Sequence, residues 1–104
     1  MKIRVEIDEE AQEQFANLDR WWRSNREAAA AELADAVAHM VQLLATTPEM
    51  GKRRLQRGVK NVRWVPLQKT PYLLYYRHEP GSDLVTVISF WSAMKKRGPK
   101  IRKL

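Results

Sequence analysis

The side chains most able to do chemistry in this chain are cations, and they are concentrated in its second half. Residues 1–51 carry ten acids and five bases, a net charge of −5, whereas residues 52–104 carry two acids and fourteen bases, a net charge of +12. Two runs without an acid hold most of the excess: Lys52, Arg53, Arg54, Arg57, Lys60 and Arg63, then Lys95, Lys96, Arg97, Lys100, Arg102 and Lys103. Such a split is typical of a domain that meets nucleic acid, a membrane surface or an acidic protein segment. A face that only keeps the protein in solution is the alternative, although interspersed charges would serve solubility equally well.

The dipeptide Arg77-His78 is the candidate catalytic pair. A histidine can act as a general base near neutral pH, and a neighbouring guanidinium can stabilise developing negative charge. A histidine that only ends a hairpin strand is the simpler interpretation, and both remain open. The other histidine, His39, is predicted on the exposed side of a helix.

Composition excludes several kinds of site. The chain has no cysteine, which removes disulfides, thiolate catalysis and cysteine-based zinc sites. Its four glycines are far apart, so the sequence has no glycine-rich phosphate loop. The two histidines lack carboxylates at ligand spacing. We therefore predict neither a metal nor a cofactor.

Length and apolar pattern predict one cytoplasmic domain. A chain of 104 residues has room for one hydrophobic core, so residues 1–104 are expected to form a single domain. The charged N-terminal segment lacks the apolar stretch of a signal peptide, and no run approaches about eighteen consecutive apolar residues. We expect a soluble cytoplasmic protein with no membrane partner.

Two helices are predicted in the first half. Asp8 is suited to cap a first helix with one apolar stripe, formed by Ala11, Phe15, Leu18 and Trp22. Ser24 to Glu27 has the form of a capping box that starts a second helix, which ends near Pro48. The second helix presents a stripe with Met40 beside it: Ala29 or Ala30, Leu33, Val37, Val41 and Leu44. The two helices are expected to form an αα-hairpin.

Strands are predicted at 2–7 and in three segments rich in β-branched and aromatic residues, 59–67, 72–78 and 84–91. The segment 48–57 is predicted as a polar loop, and 79–83 as a hairpin turn. This order predicts an α+β fold, with an N-terminal strand, the helical hairpin on one face of a largely antiparallel sheet of about four strands, and a basic C-terminal tail.

Four tryptophans are many for this length. Trp22 continues the apolar stripe of the first helix, and Trp21, about 100° further round, lies at its rim. An exposed aromatic beside a hydrophobic seam often marks a protein interface, and core packing at the hairpin edge is equally compatible. Trp64 and Trp91 lie on predicted strands and are expected in the core.

Several short motifs in order resemble one known family. A helical hairpin with Trp-Trp near its turn is followed by Leu-Ala-Thr-Thr-Pro-Glu-Met-Gly at 44–51 and Pro-Tyr-Leu-Leu-Tyr-Tyr-Arg at 71–77. The chain closes with Val-Ile-Ser-Phe-Trp-Ser-Ala at 87–93 and Arg-Gly-Pro-Lys at 97–100. Together these motifs resemble the RelE/ParE superfamily, the toxins of bacterial type II toxin–antitoxin modules. The resemblance implies a cognate antitoxin with an acidic or amphipathic segment, bound in a hetero-oligomer.

The superfamily has two known activities. RelE-like members cleave mRNA in the ribosome with basic residues and a tyrosine or histidine towards the C-terminus, whereas ParE-like members poison DNA gyrase. Here Leu73 stands where RelE-like nucleases commonly carry an arginine, and neither tyrosine nor histidine follows Trp91. The resemblance therefore implies a ParE-like toxin of the plasmid-stabilisation type that arrests growth by binding DNA gyrase. The alternatives are a ribosome-dependent mRNA endoribonuclease and an inactive relative that only binds its antitoxin.

The candidate site residues form three groups. We expect the target to be bound by cations of the sheet and tail: Arg63, Arg77, Lys95, Lys96 and Arg97. We expect the antitoxin to lie along the hairpin, near Phe15, Leu18, Trp21 and Trp22. The endoribonuclease alternative would use Arg77, His78 and the lysines of the C-terminal tail.

Overall fold

The computed structural model describes residues 3–102 and has an α+β architecture. In chain order its elements are β1 (Arg4–Ile7), α1 (Glu9–Asn25), a 3₁₀ turn (Glu27–Ala29), α2 (Glu32–Thr46), β2 (Lys52–Arg53), β3 (Val62–Pro66), β4 (Tyr72–Arg77) and β5 (Leu84–Ser92). The two helices pack against one face of the sheet, as the sequence predicts.

The two ends of α1 differ in how well the sequence predicts them. Asp8 caps the helix as predicted, since its Oδ1 accepts a hydrogen bond of 2.8 Å from the Ala11 N–H. The capping box at Ser24 is wrong, because α1 continues to Asn25 and α2 begins at Glu32 without a side-chain cap. The dense alanines between the helices have high helix propensity, so local helical structure persists through the turn.

Five strands form one mixed sheet in the order β1-β5-β4-β3-β2. β1 runs parallel to β5, and the other neighbours are antiparallel. The expectation of about four strands is corrected to five, because Lys52–Arg53 pairs with β3 inside the segment predicted as a loop. A strand of two charged residues shows no alternation of polar and apolar side chains in the sequence. It forms because its backbone pairs with the backbone of β3.

The main hydrophobic core lies between the hairpin and the sheet. Trp22 is buried there, and its Nε1–H donates a hydrogen bond of 2.9 Å to the Ala29 carbonyl. Four residues of α2 are buried: Leu33, Val37, Met40 and Leu44. Met40 therefore occupies the core position that the helical pattern assigns to Val41, which is only half-buried.

The segment Glu27–Thr46 has the length and apolar composition of a membrane span, with 20 residues and a mean hydropathy of 1.2. The core helix of a water-soluble protein meets the same two criteria. Here Leu33, Val37 and Leu44 are buried in the core with the sheet residues, and Glu32 and Asp35 interrupt the apolar run. These buried residues give the segment one apolar face toward the core, and 22% of its apolar stretch is buried.

Candidate functional site

The sheet face opposite the hairpin, here called the open face, carries a second apolar cluster. Val62, Tyr75 and Ile101 are buried in it, and half-buried side chains pack around them: Val59, Trp64, Leu73, Ile88 and Trp91. Trp64 and Trp91, which were expected in the core, belong to this smaller cluster. Ile101 comes from the C-terminal tail, so the tail itself covers part of the open face.

Residues 98–102, here called the tail segment, cross the open face and are held by their carbonyl groups. Three side chains donate to them: Arg54 to Pro99 at 3.3 Å, Gln56 to Ile101 at 3.2 Å and Arg77 to Arg102 at 3.3 Å. These donors come from β4 and from the stretch after β2. The tail segment is therefore fixed across several strands instead of projecting from the domain.

Residues 93–97, here called the basic loop, connect β5 to the tail segment. Lys95, Lys96 and Arg97 are all exposed in this loop. The Lys95 ammonium lies 4.4 Å from the centroid of the Trp91 ring, and Trp91 Nε1–H donates a hydrogen bond of 2.7 Å to the Arg97 carbonyl. Trp91 thus orders the base of the loop while the three predicted target-binding cations form one outward patch.

Two more cations lie over aromatic rings of the open face. Lys52 Nζ is 5.6 Å from the Trp64 ring centroid, and the Arg54 guanidinium carbon is 5.8 Å from that of Tyr75. Such contacts contribute about 0.5–1 kcal/mol at exposed sites. They place positive charge above β3 and β4, as Lys95 does above β5, so the open face suits an anionic partner.

Arg63 and Arg77, which the sequence placed in one target-binding group, point to opposite faces of the sheet. Arg77 reaches the tail segment on the open face. Arg63 pairs with Tyr76 across the strands, and its Nη1 donates to the carbonyls of Glu49 at 3.2 Å and Gly51 at 2.8 Å. Arg63 is therefore separated from the basic loop and holds the connection between α2 and β2.

Tyr76 forms a buried polar cluster with that connection, and sequence reasoning gave it no role of its own. Its hydroxyl donates a hydrogen bond of 2.7 Å to the Pro48 carbonyl and accepts one of 2.9 Å from the Gly51 N–H. Burial raises the pKa of the Tyr76 phenol above its ordinary value, and the Gly51 N–H and the Arg63 charge partly offset this shift. The sequence did offer a signal for this cluster, since a tyrosine within an apolar strand usually needs a hydrogen-bond partner for its hydroxyl when it is buried.

Arg77 and His78, the candidate catalytic residues, contact different parts of the chain in the structure. The Arg77 guanidinium donates to the carbonyls of Lys60 and Arg102. His78 is 8% exposed, and its Nε2 lies 3.0 Å from the Ser82 carbonyl in the β4–β5 turn. A carbonyl only accepts, so Nε2 carries the proton in this contact. Within residues 3–102 the structure shows no group of three or more side chains placed to hold a metal.

The four candidate antitoxin-binding residues differ in exposure. Trp21 is 51% exposed, whereas Trp22 is only 2% exposed and belongs to the core. Phe15 and Leu18 are half-buried and pack against the core, and Phe15 lies 5.7 Å from the Phe90 ring. Trp21 is therefore the side chain of this group with a large free surface.

A groove of about 590 Å³ runs between the tail segment and the first turn of α1. Its floor includes Ile88, Trp91 and the buried Ser89, whose Oγ has no hydrogen-bond partner among the described residues. Carboxylates line one side (Asp8 and Glu10), and cations line the other (Arg77, Lys100 and Arg102). The groove extends the open face along β5.

Comparison with known proteins assigns the family. The model of the ParE toxin of type II toxin–antitoxin systems, parDE, matches residues 5–97. The chain therefore belongs to the ParE toxin family of type II toxin–antitoxin systems, which confirms the resemblance seen in the sequence. A search among curated proteins by sequence gives no match.

Solved structures share the fold. The chain is similar to a chromosomal ParDE system from P. aeruginosa, with a TM-score of 0.68, 13% identity and coverage of 86% of this chain and 95% of that chain. It is also similar to a mutant of the E. coli toxin RelE in the free state, with a TM-score of 0.65, 19% identity and coverage of 90% and 86%. The intact E. coli RelBE toxin–antitoxin complex gives a TM-score of 0.55, 21% identity and coverage of 91% and 100%.

Proposed function

We propose that this ParE-family toxin arrests bacterial growth by binding DNA gyrase in the cytoplasm, and that the basic loop makes the decisive contact. The observation that carries the proposal is the exposed patch of Lys95, Lys96 and Arg97, ordered by Trp91 beneath it. None of these cations has a carboxylate within 4.0 Å among the described residues. Their charge is free to meet an anionic surface.

The distribution of acid–base groups favours binding over RNA cleavage. Cleavage by attack of a 2′-hydroxyl needs a base, an acid and charge stabilisation in one place. Residues 92–104 include no histidine, tyrosine or carboxylate. His78 is engaged with the Ser82 carbonyl in the β4–β5 turn, whereas the basic loop follows the other end of β5. Cations are abundant at the basic loop, and an acid–base pair is missing there.

The target-binding surface in this proposal combines the basic loop with Arg77 on the open face. Arg63 is not part of this target-binding surface, because its guanidinium donates hydrogen bonds to carbonyls of the α2–β2 connection on the other face of the sheet. Its role is to position that connection and the start of β2.

A growth assay tests the basic loop directly. Replacing Lys95, Lys96 and Arg97 with alanine should abolish growth arrest, while folding is retained because all three side chains are exposed. The matched control replaces Arg4, Arg20 and Arg23 with alanine, since exposed ion pairs and single contacts on α1 and β1 contribute little to stability. Toxicity that survives the loop substitutions would place the active surface elsewhere.

An antitoxin is the second partner in this proposal. In the RelBE complex a toxin of the same fold is bound to its antitoxin, and Trp21 offers an exposed aromatic anchor on the hairpin. Residues 1–51 carry a net charge of −5, so the part of the antitoxin on the hairpin should be amphipathic, with its acidic part directed to the basic half. The complex is accordingly a hetero-oligomer.

Trp21→Ala tests this anchor. A buried interface tryptophan typically contributes 2 kcal/mol or more, so the variant should bind the cognate antitoxin at least about 30-fold more weakly. Calorimetric titration of purified toxin with antitoxin measures the change, and Arg20→Ala is the control on the same helix. Full affinity in Trp21→Ala would show that Trp21 does not anchor the antitoxin.

A further inference from the structure

A cavity of about 380 Å³ lies beside β2, outside the basic loop and the tail segment. It is enclosed by β2, by the connection from β2 to β3, by the start of β3 and by the beginning of the β4–β5 turn. Four cations line it: Arg53, Arg54, Lys60 and Arg63. Glu49 is the one carboxylate among its lining residues. The cavity therefore has a strong excess of positive charge in a concave space.

This charge has no internal compensation in the part of the chain that the structure describes. Residues 3–102 contain two ion pairs, Arg4 with Glu6 and Arg23 with Asp19, and both lie on β1 and α1. Among residues 3–102, no carboxylate lies within 4.0 Å of the cavity cations. Like charges gathered in a concave site repel one another and focus a positive potential that an anion would relieve.

Two of the cations are held in place without being neutralised. Arg63 Nη1 donates to the Gly51 carbonyl at 2.8 Å, and Arg54 Nη2 donates to the Pro99 carbonyl at 3.3 Å. Arg54 Nε is buried and has no hydrogen-bond partner among the described residues. A guanidinium fixed by neutral carbonyls keeps its full charge and loses little further freedom when an anion binds.

The other two cations are exposed and able to close over a ligand. Arg53 lies on β2, and Lys60 lies in the connection before β3. That connection is itself ordered, because the Lys60 carbonyl accepts a hydrogen bond of 3.5 Å from Arg77, and the Asn61 carbonyl accepts one of 3.0 Å from the His78 N–H. The cavity therefore joins two cations held by hydrogen bonds to two long, exposed cationic side chains.

We propose that this cavity binds the phosphate chain of a polyphosphate ligand, with a nucleoside triphosphate as the fitting class of small molecule. Several converging cations suit a multivalent anion better than a single carboxylate, and guanidinium groups donate in pairs to phosphate oxygens. The volume lies in the range of small-ligand sites. The proposal is independent of gyrase binding, since Arg63 is the only cavity cation among the predicted target-binding residues and its guanidinium lies away from the basic loop.

Calorimetric titration of the purified protein tests the proposal at about 0.15 M salt. The probes are inorganic tripolyphosphate and ATP without added metal. Both should bind with one saturable site. The double variant Arg53→Gln/Lys60→Gln should weaken both at least about tenfold, since a hydrogen bond to a charged group typically contributes that much.

The matched control is Arg20→Gln/Lys69→Gln, which removes the same net charge from exposed positions outside the cavity. It should change both affinities less than about twofold. Equal affinities for tripolyphosphate and ATP would identify a site for the phosphate chain alone, whereas tighter binding of ATP would add a contact to the nucleoside. Equal losses in the two double variants, or the lack of saturable binding, would overturn the proposal, because net charge alone would then explain the interaction.

Discussion

Removing the Tyr76 hydroxyl should destabilise this toxin, because two backbone groups lose their hydrogen-bond partner. In Tyr76→Phe the Pro48 carbonyl loses a donor at 2.7 Å, and the N–H of the buried Gly51 loses an acceptor at 2.9 Å. Leaving a buried polar group without a hydrogen-bond partner costs about 1–3 kcal/mol. The variant leaves two groups in this state, but it no longer pays for removing the phenol hydroxyl from water, which offsets part of the cost. We therefore expect a loss of about 2–3 kcal/mol in the free energy of unfolding.

Urea unfolding followed by circular dichroism measures this loss, and thermal unfolding should show a Tm lower by roughly 10 °C for a domain of this size. Tyr72→Phe is the matched control, because Tyr72 is also buried on β4 but its hydroxyl makes no hydrogen bond among the described contacts. Its change should stay within about 0.5 kcal/mol. A Tyr76→Phe protein as stable as Tyr72→Phe would refute the view that the phenol holds the α2–β2 connection.

Two further outcomes follow from the same structure. Burial raises the pKa of Tyr76 in the folded state above its ordinary value of 10.0. The contribution of this neutral phenol to the free energy of unfolding should therefore be fully present below about pH 10 and be lost as the pH rises through the folded-state pKa. Unfolding titrations from pH 8 to 11 should show a smaller alkaline loss of stability in Tyr76→Phe than in the wild type, and equal losses would contradict this. Ile101→Ala should release the tail segment, because Ile101 is buried against the open face, and tryptic cleavage after Lys100 should accelerate at least about tenfold for a loss near 2 kcal/mol. Met94→Ala, at an 82% exposed position, is the control, and unchanged cleavage in Ile101→Ala would show that the carbonyl contacts suffice.

Much of the fold could be predicted from the sequence because the patterns that indicate its elements are local. The apolar stripe of α1, the Asp8 cap and the strand-rich second half all depend on residues near one another in the chain. β2 was missed because its two charged residues depend on pairing with β3. Ser24 was assigned to a helix start because its motif is local, whereas the alanines after it extend the helical region.

The candidate site was harder to predict because it depends on sheet register and on the path of the tail. Arg63 and Arg77 appear equivalent as strand cations, and only the register of β3 against β4 shows that they face opposite sides. The tail segment is held through its carbonyl groups, which carry no sequence signal. The basic loop, in contrast, was evident as a run of three adjacent cations.

The central claim is that the basic loop binds DNA gyrase, and a supercoiling assay with purified gyrase tests it most directly. The wild-type toxin should inhibit supercoiling of relaxed plasmid in proportion to its concentration, and the Lys95/Lys96/Arg97 triple alanine variant should lose that inhibition while Arg4/Arg20/Arg23 retains it. Supercoiling that is unaffected by the wild-type toxin, with leucine incorporation failing before thymidine incorporation in cells, would contradict the claim and move the assignment to ribosome-dependent RNA cleavage.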